Sequence, residues 1–323
     1  MKAPLEWLLE KDNPSVRYFA LKHLLDRSDD DSDVQAAQRA IMRSEPIKKI
    51  LAAQEPEGYW AKPGSAYWPS YRSTTWQILF LAELGASGHN RQVQRGCECL
   101  LKHAQVIHGG LSVLPNATPR GVMYCHSGNL TWALIALGYD DDERIGRTID
   151  WLAGAILGED YASSTAGPGF CCAANNRRPC AWGAVKALRA LTNVPAEWQT
   201  TRVKQATDMT VEFLLSRDLA KADYPYTERV NSSWFKFGFP LSYTSDVLEA
   251  SLALCEAGYA HDPRLKNAID LVLSKRDADG RWVMKRSLNG KMWADIETKG
   301  QPSKWVTLRA LRVLKMAGRW PPP

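Results

Sequence analysis

The sequence has 323 residues, 45% hydrophobic and 24% charged, which is enough for one large domain or two small ones. The formal net charge is +6, but the basic residues are scattered and form no block, so we expect no nucleic-acid surface. No signal-peptide-like apolar segment opens the chain, and no apolar run approaches the roughly 18 residues that a membrane span needs. We therefore expect a soluble, cytoplasmic protein.

Helical periodicity dominates the chain, and strand signals are weak. Residues 1–44 are predicted to be helical, and the acidic run 29–33 is typical of a solvated helix start. From residue 45 a unit recurs: an apolar helix that mostly ends in glycine, then a polar loop and an amphipathic helix. The first helices of the pairs are predicted at 74–85, 129–140, 182–193, 246–258 and 305–318. The second helices are predicted at 91–104, 143–155, 202–216 and 263–275.

Long loops rich in Gly, Pro and aromatic residues precede the first helix of each pair. They are predicted at 59–73, 107–125, 161–180, 224–243 and 286–304. Loops of this length within a compact domain usually surround a functional site. Because all of them occur at the same phase of the repeat, we expect them on one face of the array.

Two short motifs give a resemblance to a known family. Gln54-Glu-Pro-Glu-Gly58-Tyr-Trp60, with Thr74-Thr75-Trp76 after it, resembles the repeat of squalene cyclases and protein prenyltransferase β-subunits. Lys275-Arg-Asp-Ala-Asp-Gly280-Arg-Trp282 is a second copy, with basic residues where the family usually has Gln. In both copies the glycine allows a tight turn, and the tryptophan can cover the adjoining helix ends.

The resemblance covers about residues 45–320 and implies an all-α, terpenoid-cyclase-like fold. The expected domain is a single α/α toroid over 1–323, in which the helices of 1–44 complete the ring. The first helix of each pair would be an inner helix, around a central apolar cavity near the inner N-termini. The implied function is an enzyme acting on an apolar, isoprenoid-like small molecule.

The inner helix starts can be aligned by counting back from the residue that closes each helix. Counting back 12 positions gives one register of Ser73, His126, Cys180, Asp246 and Val306. Three positions further on, the register contains Trp76, Asn129, Gly183, Glu249 and Arg309. We therefore expect Cys125, His126, Cys180 and Asp246 to converge on one rim of the cavity.

Zinc is the predicted cofactor, since thiolate, imidazole and carboxylate are its usual ligands. The candidate ligands are Cys125, His126, Cys171, Cys172 and Cys180, with Asp246 as a further possibility. The resembled prenyltransferases bind zinc with Asp, Cys and His, but Met123 stands where that Asp is expected. Cys125-His126-Ser127-Gly128 is also similar to the Cys-His-Gly motif of lanthionine cyclases, another toroid family. The alternative is a set of reduced cysteines that pack loop against helix.

Acid catalysis is the second prediction, with Asp246, His126 and Tyr243 as candidate catalytic residues. The stretch that ends at Asp246 is comparable to the DxDD motif of squalene-cyclase-type enzymes but keeps one carboxylate. A buried Asp can act as a general acid if burial raises its pKa. The alternative is an ordinary helix-start acid, whose pKa the free backbone N–H groups would lower.

The predicted substrate-binding residues open or line the inner helices. Arg72 and Lys304 would orient a polar head group, as basic residues hold a diphosphate in the resembled prenyltransferases. Aromatic and amide side chains would line the cavity: Trp76, Asn129, Trp182 and Trp305. A toroid without catalysis, which binds a lipid or a protein partner, is the remaining functional alternative.

Overall fold

The structure is a computed structural model that describes residues 4–64, 67–159, 166–221 and 231–320. Parts of the predicted loops 59–73, 161–180 and 224–243 lie outside these residues. The helices are α1 (Pro4–Leu8), α2 (Pro14–His23), α3 (Ser32–Ile41), α4 (Glu45–Ala52), α5 (Thr74–Glu83), α6 (Arg91–Ala104), α7 (Tyr124–Ala136), α8 (Glu143–Leu157), α9 (Ala181–Leu191), α10 (Thr201–Leu215), α11 (Val247–Leu254), α12 (Lys266–Ser274) and α13 (Lys304–Met316).

An inner ring is formed by α2, α5, α7, α9, α11 and α13. Within it α7 packs against α5 and α9, α11 packs against α9 and α13, and α13 packs against α2. Gly85, directly after α5, lies so close to Phe19 of α2 that a Cβ there would be 3.1 Å from the ring. Every residue of α5 is buried, including the polar Gln77 and Glu83, so the helix contacts other elements on all sides.

The outer layer is formed by amphipathic helices, each packed against the inner helix that precedes it. Helices α6, α8, α10 and α12 contact α5, α7, α9 and α11 respectively. Three of these outer helices begin at side-chain caps, which satisfy free N–H groups of the first turn: Asn90, Asp142 and Thr200. The predicted alternation of first and second helices is confirmed.

The two motif tryptophans make the same contacts in their two copies. Trp60 Nε1 donates to the Ile50 carbonyl at 2.7 Å, and its backbone N–H donates to Thr74 Oγ1. Trp282 Nε1 donates to the Val272 carbonyl at 2.6 Å, and its N–H donates to a threonine hydroxyl of α13. Each tryptophan therefore joins the last turn of an outer helix to the first turn of the next inner helix.

A third copy of the motif was missed in the sequence because it lacks the tryptophan. Gln54 donates to the carbonyl four residues on and to the Gln92 carbonyl of the next outer helix. Gln105 makes the same two bonds, the second of them to Arg144 at 2.6 Å. Leu111 stands where the tryptophan would be. The spacing of Gln and Gly alone carried the signal.

The inner helices differ in length, which corrects the predicted register. Helices α5 and α9 have 10 and 11 residues, whereas α7 and α13 have 13. Counting back from the closing residue therefore finds the start of the shorter helices and misses that of the longer ones by one turn. The observed residues before the inner helices are Ser73, Met123, Cys180, Asp246 and Ser303. His126 and Val306 lie inside their helices.

A small antiparallel sheet lies before α9. Its strands are β1 (Ala166–Gly167), β2 (Cys171–Cys172) and β3 (Arg178–Pro179), in the order β1-β2-β3. Cys171 is opposite Pro179 and Cys172 is opposite Arg178. Separately, no helix within the described residues combines the length and hydropathy needed to cross a bilayer.

Candidate functional site

Asp246 caps the first turn of α11 from a fully buried position. Its Oδ1 accepts a hydrogen bond from the backbone N–H of Glu249 at 2.9 Å. Its Oδ2 has no hydrogen-bond partner among the residues that the structure describes, and the Arg286 guanidinium lies 3.8 Å away. The helix-capping hydrogen bond predicted for Asp246 is therefore present, and it uses only one of the two carboxylate oxygens.

Burial raises the pKa of Asp246. Arg309, Arg286 and the backbone cap all act in the opposite direction but do not cancel the cost of burying the charge. The sequence alternative, a pKa lowered by the helix start, is therefore wrong in its net direction. A carboxyl that keeps its proton to a higher pH than usual is suited to proton donation.

Glu249, one helical turn further along α11, shows the opposite shift. Burial alone would raise its pKa, but Lys186 and Arg189 more than offset this effect, so the pKa is lowered. The Lys186 ammonium lies 2.5 Å from Glu249 Oε1 in a buried ion pair. Burial lowers the pKa of Lys186, and Glu249 opposes that shift. Glu249 Oε2 has no partner within the described parts of the chain.

A cavity of about 210 Å³ extends along the ring. It runs from the first turns of α11 and α13 to the last turns of α5, α7 and α9. We call it the central cavity. Its aromatic lining is Phe19, Trp132, Phe239 and Trp305, and its ionisable lining is His23, Glu83, Arg189, Glu249, Glu256, Arg309 and Arg312. The lining of this cavity is mixed, with charged as well as aromatic residues, and the cavity extends beyond the inner helix N-termini.

Most charges in this lining are paired within the ring. The ion pairs are Arg189 with Glu83, Arg312 with Glu256, and Lys186 with Glu249. The Arg189 guanidinium also lies 3.3 Å from the centre of the Trp132 ring. Such pairing is required, because an unpaired charge inside a protein is costly.

Aromatic side chains fill the interior near the starts of α5 and α7. We call this group the aromatic cluster, and it comprises Tyr67, Tyr71, Trp76, Trp182 and Tyr243. The centre of the Trp76 ring lies 4.8 to 6.3 Å from those of its neighbours Tyr67, Tyr71 and Tyr243. The gap beside Trp76 measures about 10 Å³, close to the minimum for a single water.

Five predicted site residues border this gap: Trp76, Cys125, His126, Asn129 and Tyr243. Burial lowers the pKa of His126 to about 3, and its Nε2 has no partner in the described ranges. Asn129 Nδ2 donates to the Ser242 carbonyl at 3.0 Å. The structure therefore brings His126, Asn129, Trp76 and Tyr243 together, with Trp182 edge-on to Tyr243 at 6.2 Å. These residues do not line the central cavity.

Arg72 and Lys304 have intramolecular partners. Arg72 lies over the Trp293 ring at 5.3 Å and donates to the Lys291 carbonyl. Lys304 Nζ donates to Glu10 at 3.0 Å and to Asp12 at 2.5 Å. Their predicted role in holding a polar head group is not supported by these contacts. Trp305, by contrast, does line the central cavity.

The structure brings three of the predicted zinc ligands, Cys125, Cys172 and Cys180, close enough to shift one another's pKa. Cys171 and Cys172 are successive strand residues, so their side chains point to opposite faces of the sheet. The Cys180 thiol donates to Cys172, which lowers the pKa of Cys172 to about 6. Burial raises the pKa of Cys125 to about 12, which keeps its thiol protonated. No group of three His, Cys, Asp or Glu side chains suited to a metal occurs among the described residues.

The sequence interpretation did not select Glu249 and Arg309, which line the central cavity. Both occur in the register three positions beyond the inner helix starts, where Trp76 and Asn129 were selected. Their shared position in this register was the sequence feature that could have identified them. The pairing of Glu249 with Lys186 links two different helices and could not be read from a local pattern.

No family model and no curated protein matches this chain. An unsaturated glucuronyl hydrolase specific for heparin is similar over 98% of this chain and 86% of its own, with TM-score 0.51 and 11% identity. A type II terpene cyclase, MstE from Scytonema, is similar over 96% and 88%, with TM-score 0.47 and 15% identity. At these identities the likeness concerns the fold alone. The predicted all-α, α/α-toroid fold is confirmed.

Proposed function

We propose that this protein is an enzyme that transfers protons to and from a small molecule held within the ring. Asp246 is the general acid, and Glu249 is the ionised carboxylate beside it. The opposite pKa shifts of these two residues, one turn apart on α11, carry the proposal. Environments that separate the pKa values of neighbouring carboxyls are how one site holds both an acid and a base.

The surroundings of Asp246 support proton donation. Asp246 Oδ2 has no hydrogen-bond partner among the described residues, so no protein contact competes for a proton carried by this oxygen. After transfer, the Arg286 and Arg309 guanidiniums lie where they stabilise the carboxylate that forms. Glu249 then faces the charge that develops on the substrate and can accept a proton from it.

The cavity lining bears on the substrate. Asp246 is not part of the lining of the central cavity, but Glu249, one turn further along α11, and Arg309 both line it. Aromatic walls suit an apolar body, such as the isoprenoid-like molecule that the sequence predicts. The charged groups favour a substrate that also carries polar groups. The toroid neighbour named as a glucuronyl hydrolase supports catalysis in this fold but does not identify the reaction.

The test is a comparison of wild type with Asp246→Asn. Asparagine can still accept the Glu249 N–H bond, so α11 keeps its cap while the acid is removed. Both proteins are incubated with a small-molecule cell extract and with a panel of isoprenoid alcohols and diphosphates, and products are followed by mass spectrometry. We expect turnover by the wild type and a loss of about 100-fold or more in the variant.

Asp31→Asn is the matched control, because Asp31 caps helix α3, which packs against α2, with the same kind of bond. It should leave turnover unchanged. Retained activity in Asp246→Asn would contradict the acid role. Binding of a lipid or a protein partner, with no turnover by either protein, would favour the non-catalytic alternative.

Zinc stays a prediction with its own test. The cysteine geometry does not fit a three-ligand site, so no step is assigned to a metal here. Metal analysis of protein purified without a histidine tag addresses it directly. Stoichiometric zinc that is lost in Cys125→Ser would support the sequence prediction. Substoichiometric zinc, unchanged by that substitution, would contradict it.

A further inference from the structure

Arg309 differs from the other arginines of the central cavity, because no carboxylate hydrogen-bonds to it in the described residues. Its Nη2 donates to the Gly238 carbonyl. Its Nε and Nη1 have no hydrogen-bond partner in the parts of the chain that the structure describes, although Arg309 is only 5% exposed. Buried guanidinium donors left unpaired are costly, and a bound anion would satisfy them.

A second free donor lies on the same helix. Trp305 precedes Arg309 by four residues, a spacing that places both side chains on one face of α13. Trp305 Nε1 is buried and likewise without a partner among the described residues. Both side chains line the central cavity. Two residues of the cavity lining, on one face of α13, therefore carry three buried donor atoms without a partner among the described residues.

The walls next to these donors are flat and apolar. The Trp305 ring is stacked on Phe239 with centroids 4.0 Å apart and planes within 7°. Phe19 is a further neighbour, with its ring 6.0 Å from that of Trp305. The volume of about 210 Å³ exceeds the roughly 150 Å³ of a cavity known to hold benzene. The space therefore suits a molecule with a ring-sized apolar body.

The charge balance favours a ligand with one negative charge. Arg189, Arg312 and Lys186 are each paired with a glutamate, whereas Arg309 has no ion pair with a carboxylate of the cavity lining among the described residues and acts on Asp246 instead. Glu249 Oε2 is unpaired and would repel a multiply charged anion such as phosphate. A carboxylate matches the planar guanidinium fork while adding a single charge.

We propose that the central cavity binds a small organic monocarboxylate, with its carboxylate on Arg309 and Trp305 Nε1. Its apolar body lies against the Trp305 and Phe239 rings. Entry is from the end of the cavity where the exposed Asn193 forms part of the lining. This binding requires no turnover, so it stands apart from the proposed acid chemistry.

The experiment measures binding to the full chain by calorimetry and by thermal unfolding, with benzoate as the probe. Neutral benzamide and inorganic phosphate are the comparison ligands. We expect benzoate to bind and to raise the unfolding temperature with increasing concentration, and benzamide and phosphate to do so at least about tenfold more weakly. Equal binding of benzoate and benzamide would overturn the proposal, as would tighter binding of phosphate or no binding of benzoate.

Arg309→Gln should weaken benzoate binding by at least about tenfold, provided that circular dichroism shows a folded protein. Arg264→Gln is the matched control, because Arg264 is a surface arginine paired with Glu212 and Asp262. Trp305→Phe keeps the apolar wall, removes one donor and should weaken binding several-fold. Asp246→Asn should retain benzoate binding even where turnover is lost. Wild-type affinity in both Arg309→Gln and Trp305→Phe would overturn the assignment.

Discussion

The interior of the ring is filled differently at the aromatic cluster and along the central cavity. At the aromatic cluster, rings pack against rings and leave a gap of about 10 Å³. Along the central cavity, ion pairs and aromatic walls leave about 210 Å³. Aromatic side chains can approach one another from several directions, whereas buried charges must stay with their partners. The aromatic cluster lies near the starts of α5 and α7, whereas the free space and the buried charges extend from the first turns of α11 and α13 to the last turns of α5, α7 and α9.

The largest expected effect is at the buried ion pair of the central cavity. Lys186→Met leaves the Glu249 charge without its partner, and we expect the free energy of unfolding to fall by about 3–5 kcal/mol. Urea denaturation measures this change. Lys266→Met, which breaks an exposed pair with Asp270, is the control and should cost less than about 1 kcal/mol.

A second substitution sharpens this result. In Lys186→Met combined with Glu249→Leu, both charges are replaced by apolar groups, and most of the lost stability should return. If the single substitution costs no more than the Lys266 control, the cavity charges are not buried as described.

At the aromatic cluster we expect a packing effect instead. Trp76→Ala removes a buried ring that contacts others on several sides and should cost about 3–5 kcal/mol. Trp305→Ala should cost less, because one side of that ring already borders open space. Chemical denaturation of both variants makes the comparison. A larger loss of stability for Trp305→Ala than for Trp76→Ala would contradict this difference between the aromatic cluster and the central cavity.

His126 makes the aromatic cluster sensitive to acid. Its folded pKa of about 3 lies below the ordinary 6.5, so protonation favours the unfolded state. This stability is fully present above pH 6.5 and is lost as pH falls towards 3, by up to about 1.4 kcal/mol per pH unit. His126→Gln should flatten that slope in unfolding measurements, whereas His89→Gln at the surface should not. An unchanged slope would place His126 in contact with water.

The tryptophans of the repeat give the smallest expected effect, and it should be equal in both copies. Trp60→Phe and Trp282→Phe each remove one donor to a carbonyl of an outer helix and should cost about 1–3 kcal/mol. Thermal unfolding of the two variants tests this. Unequal losses would show that the two copies are not equivalent in the folded protein.

The fold could be predicted because it follows from repetition. Motif residues such as Gly58 and Trp60 act locally, joining neighbouring helices, so their spacing is visible in the sequence. The site was predicted less well because its residues meet across helices. Lys186 and Glu249 are 63 positions apart, and a one-turn difference in helix length moved His126 out of the predicted rim.

The pKa of Asp246 shows the same limit of prediction from local sequence. Its place at the start of α11 could be predicted from the repeat, and the cap bond was expected from that place. The direction of its pKa shift depends on burial by residues from other helices, which no local pattern contains. The rise in pKa that burial causes is larger than the lowering that the helix cap causes.

The most direct test of the central claim compares the pH dependence of stability in wild type and Asp246→Asn. Because the folded pKa of Asp246 is raised, the unfolded chain loses its proton first as pH rises above 3.8. The stability of wild type relative to the variant should therefore fall as pH rises, until the folded pKa is passed. A relative stability that rises over this range would show a lowered pKa and contradict the assignment of Asp246 as the acid.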